Sequence, residues 1–200
     1  MSRDDMSASL IHFTKGAWAE DYEGAFSHLQ SIVNERVVRG SSSSFIKGGY
    51  SCVCLTEAPL ASVRHGLVNP SNFGRYSPFG VMFEKRWVFA QGGRPVIYEP
   101  EGEYERLPES HRWRHVTYDP TAADHLVDFT WEREWRIHCT ELAFGPSDAV
   151  IIVPSHDWAD QLVREHQDSL IQQYSTIMDE YAAEYYGLAA FPWRIAVLDE

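Results

Sequence analysis

The chain has 200 residues, 44% apolar and 14% aromatic, and a formal charge of −12. That length suits a single domain with a real core, and the aromatic content argues against disorder. Such acidity excludes general binding to phosphate backbones; with no run of membrane-spanning length and no signal peptide pattern, a soluble cytoplasmic protein with no membrane partner is expected.

Residues 1–9 are polar and expected to be flexible. Leu10–Lys15 (LIHFTK) reads as a short strand, and Tyr22–Asn34 as a helix with Phe26, Leu29, Ile32 and Val33 on one stripe. VVRGSSSSFIKGGYS then reads as a loop, because its serine run Ser41–Ser44 and its glycines can bury little. SCVCLTEAPL is a second strand stopped by Pro59, ASVRHGL a short helix, and NPSNFGRYSPFG a loop crowded with turn residues. VMFEKRWVFAQGG mixes helical and strand-like pattern up to a Gly-Gly turn, and RPVIYEP is a short strand. The polar stretch 101–121, with scattered aromatics, has no clear placement. DFTWEREWRIHC and AVIIVP read as strands. Ser155 stands where it would cap a helix beginning near His156; the helical pattern runs through Leu162, Leu170, Ile171, Tyr174, Ile177 and Tyr181, with one break, to a stop at Gly187. Residues 155–187 thus form a mostly helical C-terminal region, and WRIAVLDE is a last strand. Neither repeat nor linker divides the chain, so 1–200 is one domain. Short strands dispersed among a few helices predict the mixed α+β class. No Walker loop, GxGxxG fingerprint or GxSxG elbow is present.

The densest chemistry lies in DFTWEREWRIHC, Asp128 to Cys139. Taken as a strand, it alternates: Phe129, Trp131, Arg133, Trp135 and Ile137 share one face, and Thr130, Glu132, Glu134, Arg136 and His138 the other. Two carboxylates one pleat apart, beside a guanidinium, can steady a developing positive charge or hold a sugar hydroxyl. The same row also reads as a solvated face of cross-strand ion pairs.

Other segments carry weaker signals. His12 and Thr14 share a strand face and could hydrogen-bond a ribose or an amide, or simply be satisfied near the core. Cys52 and Cys54 read as small buried residues; Cys-x-Cys lacks zinc-knuckle spacing, and three cysteines with Cys139 cannot all pair, which suits free thiols in a reducing compartment. Arg75, Tyr76 and Ser77 sit on a loop, where an arginine can clamp a phosphate and a tyrosine can stack on a ring. Arg112, Arg114 and His115 beside Trp113 form the one basic-aromatic patch, a weak nucleic-acid signal.

The order of these pieces, HFT, a helix, CVCLTEAPL, YSPFGVMFEK, GGRPVIY and DFTWEREWR, resembles AbiGi-type abortive-infection proteins, which are similar in pattern to the DarT family of ADP-ribosyltransferases. The resemblance spans roughly Leu10 to Pro154. It implies an ADP-ribosyltransferase-like split β-sandwich with peripheral helices, binding NAD in a cleft between two small sheets. It implies that His12 and Thr14 hold the nicotinamide ribose side, that Arg75, Tyr76 and Ser77 belong to an NAD-binding segment, and that Glu134 or Glu132 is catalytic, with Glu134 favoured. The implied activity is NAD-dependent ADP-ribosyl transfer or NAD hydrolysis, without a metal, in phage defence or a toxin–antitoxin system. The acceptor would be a nucleobase or a protein side chain, and a toxin or antitoxin protein would be a possible partner. Two alternatives stand beside it: a non-catalytic defence or antitoxin protein of the same fold that binds a partner, and a metal-dependent nuclease using Asp128, Glu132, Glu134 and a histidine.

Overall fold

A computed structural model describes residues 7–18, 20–43, 45–59, 77–121 and 128–199. In chain order the strands are β1 (Ser9–Phe13), β2 (Val37–Arg39), β3 (Cys52–Thr56), β4 (Gly80–Glu84), β5 (Arg94–Pro95), β6 (Ile97–Glu99), β7 (His115–Thr117), β8 (Glu134–His138), β9 (Glu141–Ala143), β10 (Ala149–Val153) and β11 (Arg194–Val197). The helices are α1 (Tyr22–Glu35), α2 (Lys85–Ala90), α3 (Glu109–Arg112), α4 (His156–Tyr174) and α5 (Glu180–Gly187). The architecture is mixed α+β, as expected.

Seven strands form one sheet in the order β11-β10-β4-β1-β3-β8-β5. Only β10 and β11 run parallel. β1 is paired with β4 along its whole length, from Ser9↔Glu84 to Phe13↔Gly80, but meets β3 at the single position Ile11↔Thr56. The sheet is therefore two halves, β11-β10-β4-β1 and β3-β8-β5, joined at a narrow seam. Pro95 has no N–H to donate and stands on the edge strand β5, where none is needed. Two ribbons lie outside the sheet: β2 with β9, antiparallel, and β6 with β7, parallel.

One face of the sheet carries the main core. Leu10, Val53, Leu55, Val81, Phe83, Ile137, Ile151 and Val153 pack there against α1 and α4. α1 buries Phe26, Leu29 and Val33, three members of the expected stripe, and packs the fourth, Ile32, against the same core. The Asp21 carboxylate starts that helix by accepting from the Gly24 N–H at 3.0 Å and the Ala17 N–H at 2.7 Å. Trp158 of α4 closes an aromatic cluster, with ring centroids 4.9 Å from Phe26 and 5.0 Å from Phe79. The opposite face is covered in two smaller patches. One holds Ile11, Ile152 and Leu198; the other holds Ile46, Cys52 and Trp113.

Several segments differ from their sequence reading. The serine-glycine loop begins as β2 and continues through a bridge, Ser41↔Cys52. VMFEKRWVFA divides at Glu84, strand before it and α2 after it. Residues 101–121 contain a 3-10 turn (Glu101–Arg106), α3 and β7. ASVRHGL lies outside the described residues, as does most of NPSNFGRYSPFG.

The C-terminal region has the expected break: α4 ends at Tyr174, and α5 folds back on it. Ala183 and Gly187 make the contact. A Cβ at Gly187 would run into the Ile171 side chain and come within 2.9 Å of its backbone nitrogen. Gly187→Val is therefore expected to push α5 off α4 at a cost of about 1–3 kcal/mol, the usual range for overpacking. A thermal melt reads this as a lowered midpoint, and an unchanged midpoint would mean that close packing at Gly187 does not hold α5.

Candidate functional site

The stretch Asp128–Cys139 is not one strand. The Asp128 carboxylate accepts from the Thr130 N–H (2.8 Å) and from its hydroxyl (2.6 Å), which bends the chain into a turn. A 3-10 turn follows over Thr130–Glu132, and Arg133 takes a left-handed conformation, φ 46° and ψ 48°. The strand begins only at Glu134. The expected alternation thus fails from Phe129 to Arg133 and holds from Glu134 to His138. Glu132, expected on the cleft face of a strand, sits in the turn and is 6% exposed. Its carbonyl accepts from the Thr56 hydroxyl, and the Glu57 N–H donates to the Arg133 carbonyl at 3.2 Å. These bonds clamp the turn to the end of β3.

Glu134 therefore stands where the turn, the strand and the seam meet. Register places Ile11, Thr56 and Glu134 in one row across β1, β3 and β8. The Glu134 carboxylate is held by Arg136 at two points: Nε donates to Oε1 at 2.7 Å and Nη2 to Oε2 at 3.2 Å. Arg136 is 2% exposed, and its remaining hydrogen bonds go to the carbonyls of Trp113 (3.0 Å), His115 (3.1 Å) and Phe45 (3.4 Å). Burial disfavours the guanidinium charge, but the Glu134 carboxylate more than offsets it and raises the Arg136 pKa. Tyr98 supplies a third hold: its hydroxyl donates to the Phe129 carbonyl at 3.0 Å and accepts from the Glu134 N–H at 3.3 Å. A carboxylate has about four lone-pair sites. Arg136 takes one on each oxygen and the Cys54 side chain a third, which leaves one for a hydroxyl donor on a side chain that is 11% exposed.

The other expected site residues are placed as follows. His12 is one residue off the Glu134 row and so lies on the opposite face of the sheet, with Leu10; its ring spans the seam there, with Nδ1 2.9 Å from the Cys54 carbonyl. A carbonyl only accepts, so Nδ1 carries the proton. Thr14 is buried against α1; its hydroxyl donates to the Ala25 carbonyl at 2.8 Å, a role in packing rather than on an open cleft. Ser77 is buried. Arg75 and Tyr76 lie outside the described residues. The structure thus joins Glu134 to Arg136, Tyr98 and Thr56, and sets His12 at the seam on the other face of the sheet. The basic-aromatic patch does not stay a patch: His115 and Trp113 are buried, and Arg114 turns to the Pro95 carbonyl.

The opposite pleat of β8 carries a cluster that the pattern did not single out. Glu57 accepts from the Trp135 indole N–H at 2.8 Å and pairs with Lys85, whose ammonium lies 5.7 Å from the centre of the Trp135 ring. Lys85, Phe89 and Trp135 line a groove of about 690 Å³ with Ser9. Glu57 was legible only as the last residue of CVCLTE, two positions beyond Leu55 and so on the same pleat.

Burial raises the thiol pKa values, that of Cys52 to about 11 and that of Cys54 further, so neither is a ready thiolate. Burial also lowers the pKa values of His12 and His115. In the unfolded chain both would titrate near the ordinary histidine value of about 6.5. The stability that their neutral rings contribute is therefore complete above that pH and is lost as pH falls toward the lower folded values. Melting midpoints are expected to drop as pH falls below about 6.5, and less steeply in a His12→Gln, His115→Gln double variant. An equal slope in both proteins would assign the drop to other groups.

No family model, curated protein or solved structure matches this chain.

Proposed function

We propose that this chain cleaves NAD at the nicotinamide–ribose bond, as an ADP-ribosyltransferase or NAD glycohydrolase with an ADP-ribosyltransferase-like split β-sandwich, acting in phage defence or a toxin–antitoxin system. The observation that carries the reading is Glu134. It is a fixed, partly exposed carboxylate in the residue row that crosses the seam of a divided sheet. Cleavage sends the bond's electron pair to the nicotinamide nitrogen and builds positive charge on the ribose, as in glycoside hydrolysis. A carboxylate that is already oriented stabilises that charge more than it stabilises the neutral ring. Arg136 and Tyr98 supply the orientation. A water or an acceptor group then adds to the ribose carbon and loses its proton. His12 belongs to the Leu10 face of β1, across the sheet from the Ile11–Thr56–Glu134 row, so the reading rests on Glu134 without it, while Glu132 belongs to the turn that aims Glu134.

A second reading, a partner-binding protein of the same fold without catalysis, is favoured by the two-point hold of Arg136, which would serve equally as a structural staple. In the nuclease reading Asp128 would act with one oxygen already accepting from Thr130, and Glu134 with both oxygens held by Arg136.

The deciding experiment is nicotinamide release from NAD by the purified chain, with and without cell lysate as acceptor, beside Glu134→Gln. Release that disappears in the variant supports cleavage, and dependence on lysate points to transfer. A folded protein that neither binds NAD nor releases nicotinamide overturns the reading in favour of partner binding.

A further inference from the structure

α5 is built inside out. The side turned to α4 is small, with Ala183 fully buried and Gly187 against Ile171. The outer side is large and apolar: Tyr181 is 82% exposed and Tyr185 71%, Leu188 at the helix end continues that face, and Ile177 in the turn before α5 is exposed as well. An amphipathic helix ordinarily turns such a row to the core, and monomeric proteins seldom leave one uncovered. The surrounding charge has one sign. From Glu165 to Trp193 the sequence contains no lysine or arginine, while Glu165, Asp168, Asp179, Glu180 and Glu184 all fall within it. A second copy would bring the same anionic rim against this one, and an acidic lipid surface would add to the repulsion.

We propose that the outer face of α5 docks a cationic protein segment, an apolar stripe flanked by lysines or arginines. Tyrosine suits the centre of such a contact, since its ring buries area while its hydroxyl keeps a hydrogen-bond partner at the edge. Glu180 and Glu184 supply the complementary charge and orient the incoming segment. The inference stands apart from NAD cleavage and holds with or without it.

The test uses the full chain and a fluorescein-labelled helical peptide carrying a leucine stripe flanked by arginines, beside the same stripe flanked by glutamates, read by anisotropy. The arginine peptide is expected to saturate and the glutamate peptide not to bind. Tyr181→Ser with Tyr185→Ser should weaken binding about tenfold or more, as truncation of central aromatic anchors does. Glu180→Lys with Glu184→Lys should do the same, with the far-ultraviolet spectrum unchanged in both. Unaltered affinity in the tyrosine variant would overturn the proposal, since binding would then follow only the overall charge of the chain. So would a dimer in sedimentation that the tyrosine variant dissolves, or capture of the wild type but not that variant by phosphatidylserine vesicles.

Discussion

Arg136→Ala is expected to cost about 3–5 kcal/mol of folding stability, the range for removing one partner of a buried ion pair. The guanidinium is almost fully enclosed, and it is the donor for the Glu134 carboxylate and for the carbonyls of Trp113, His115 and Phe45. Alanine leaves all of these without that donor and opens a void of side-chain size. Replacing the pair together, Arg136→Met with Glu134→Leu, should recover the part of the loss that comes from the stranded carboxylate. It should not recover the part that comes from the three carbonyls, because methionine donates nothing. Urea unfolding with slopes held common measures both. A loss below about 1 kcal/mol for Arg136→Ala, the level of an exposed pair, would mean that the guanidinium is solvated and that Glu134 is not held.

Glu134→Gln should lower nicotinamide release by about 10²–10³-fold, the range for removing one preorganised electrostatic contact to the transition state. Glutamine keeps the shape and one acceptor toward Arg136 but removes the negative charge. Its amide nitrogen also meets an Arg136 donor with another donor, so a smaller stability loss accompanies the loss of activity. Glu132→Gln is expected to leave release largely kept, because Glu132 holds the turn to Thr56 through its main-chain carbonyl, which the substitution preserves. Were Glu132→Gln to abolish release while Glu134→Gln retained it, the catalytic assignment would move to Glu132.

The amphipathic elements were legible because burial writes its period into the sequence. The stripe Phe26, Leu29, Ile32, Val33 and the break before α5 follow from spacing alone. β8 was legible only from Glu134 onward. The odd-numbered row from Phe129 to Ile137 is apolar except at Arg133, so a strand read through it from Phe129 with one exception, and the period did not place its start at Glu134. The signal that could have located it is Asp128-x-Thr130, a side chain able to capture the backbone two residues on. The left-handed Arg133 has no such signal, since neither glycine nor asparagine marks it. The site was half legible: Glu134 and its arginine neighbour are close in sequence, whereas Tyr98 and the carbonyls that receive Arg136 come from distant segments that only the fold assembles. Thr14 shows the converse, a residue that matched a motif and whose hydroxyl donates to the Ala25 carbonyl.

The placement of β1 has a consequence for how the chain reaches this state. Ser9–Phe13 precedes every other strand yet lies inside the sheet, with β4 on one side and β3 on the other. Its full-length partner, Gly80–Glu84, follows much later, and β8 and β10, which complete the two halves, later still. Sheets whose pairings span such sequence distances fold in milliseconds to seconds, because chain closure must precede the contacts that reward it. An apolar strand made before both of its sheet partners stays unpaired until they follow, open to misassociation with other chains. Refolding yield should depend on protein concentration, and in a cell the segment Leu10–Phe13 would be one place for a chaperone to act.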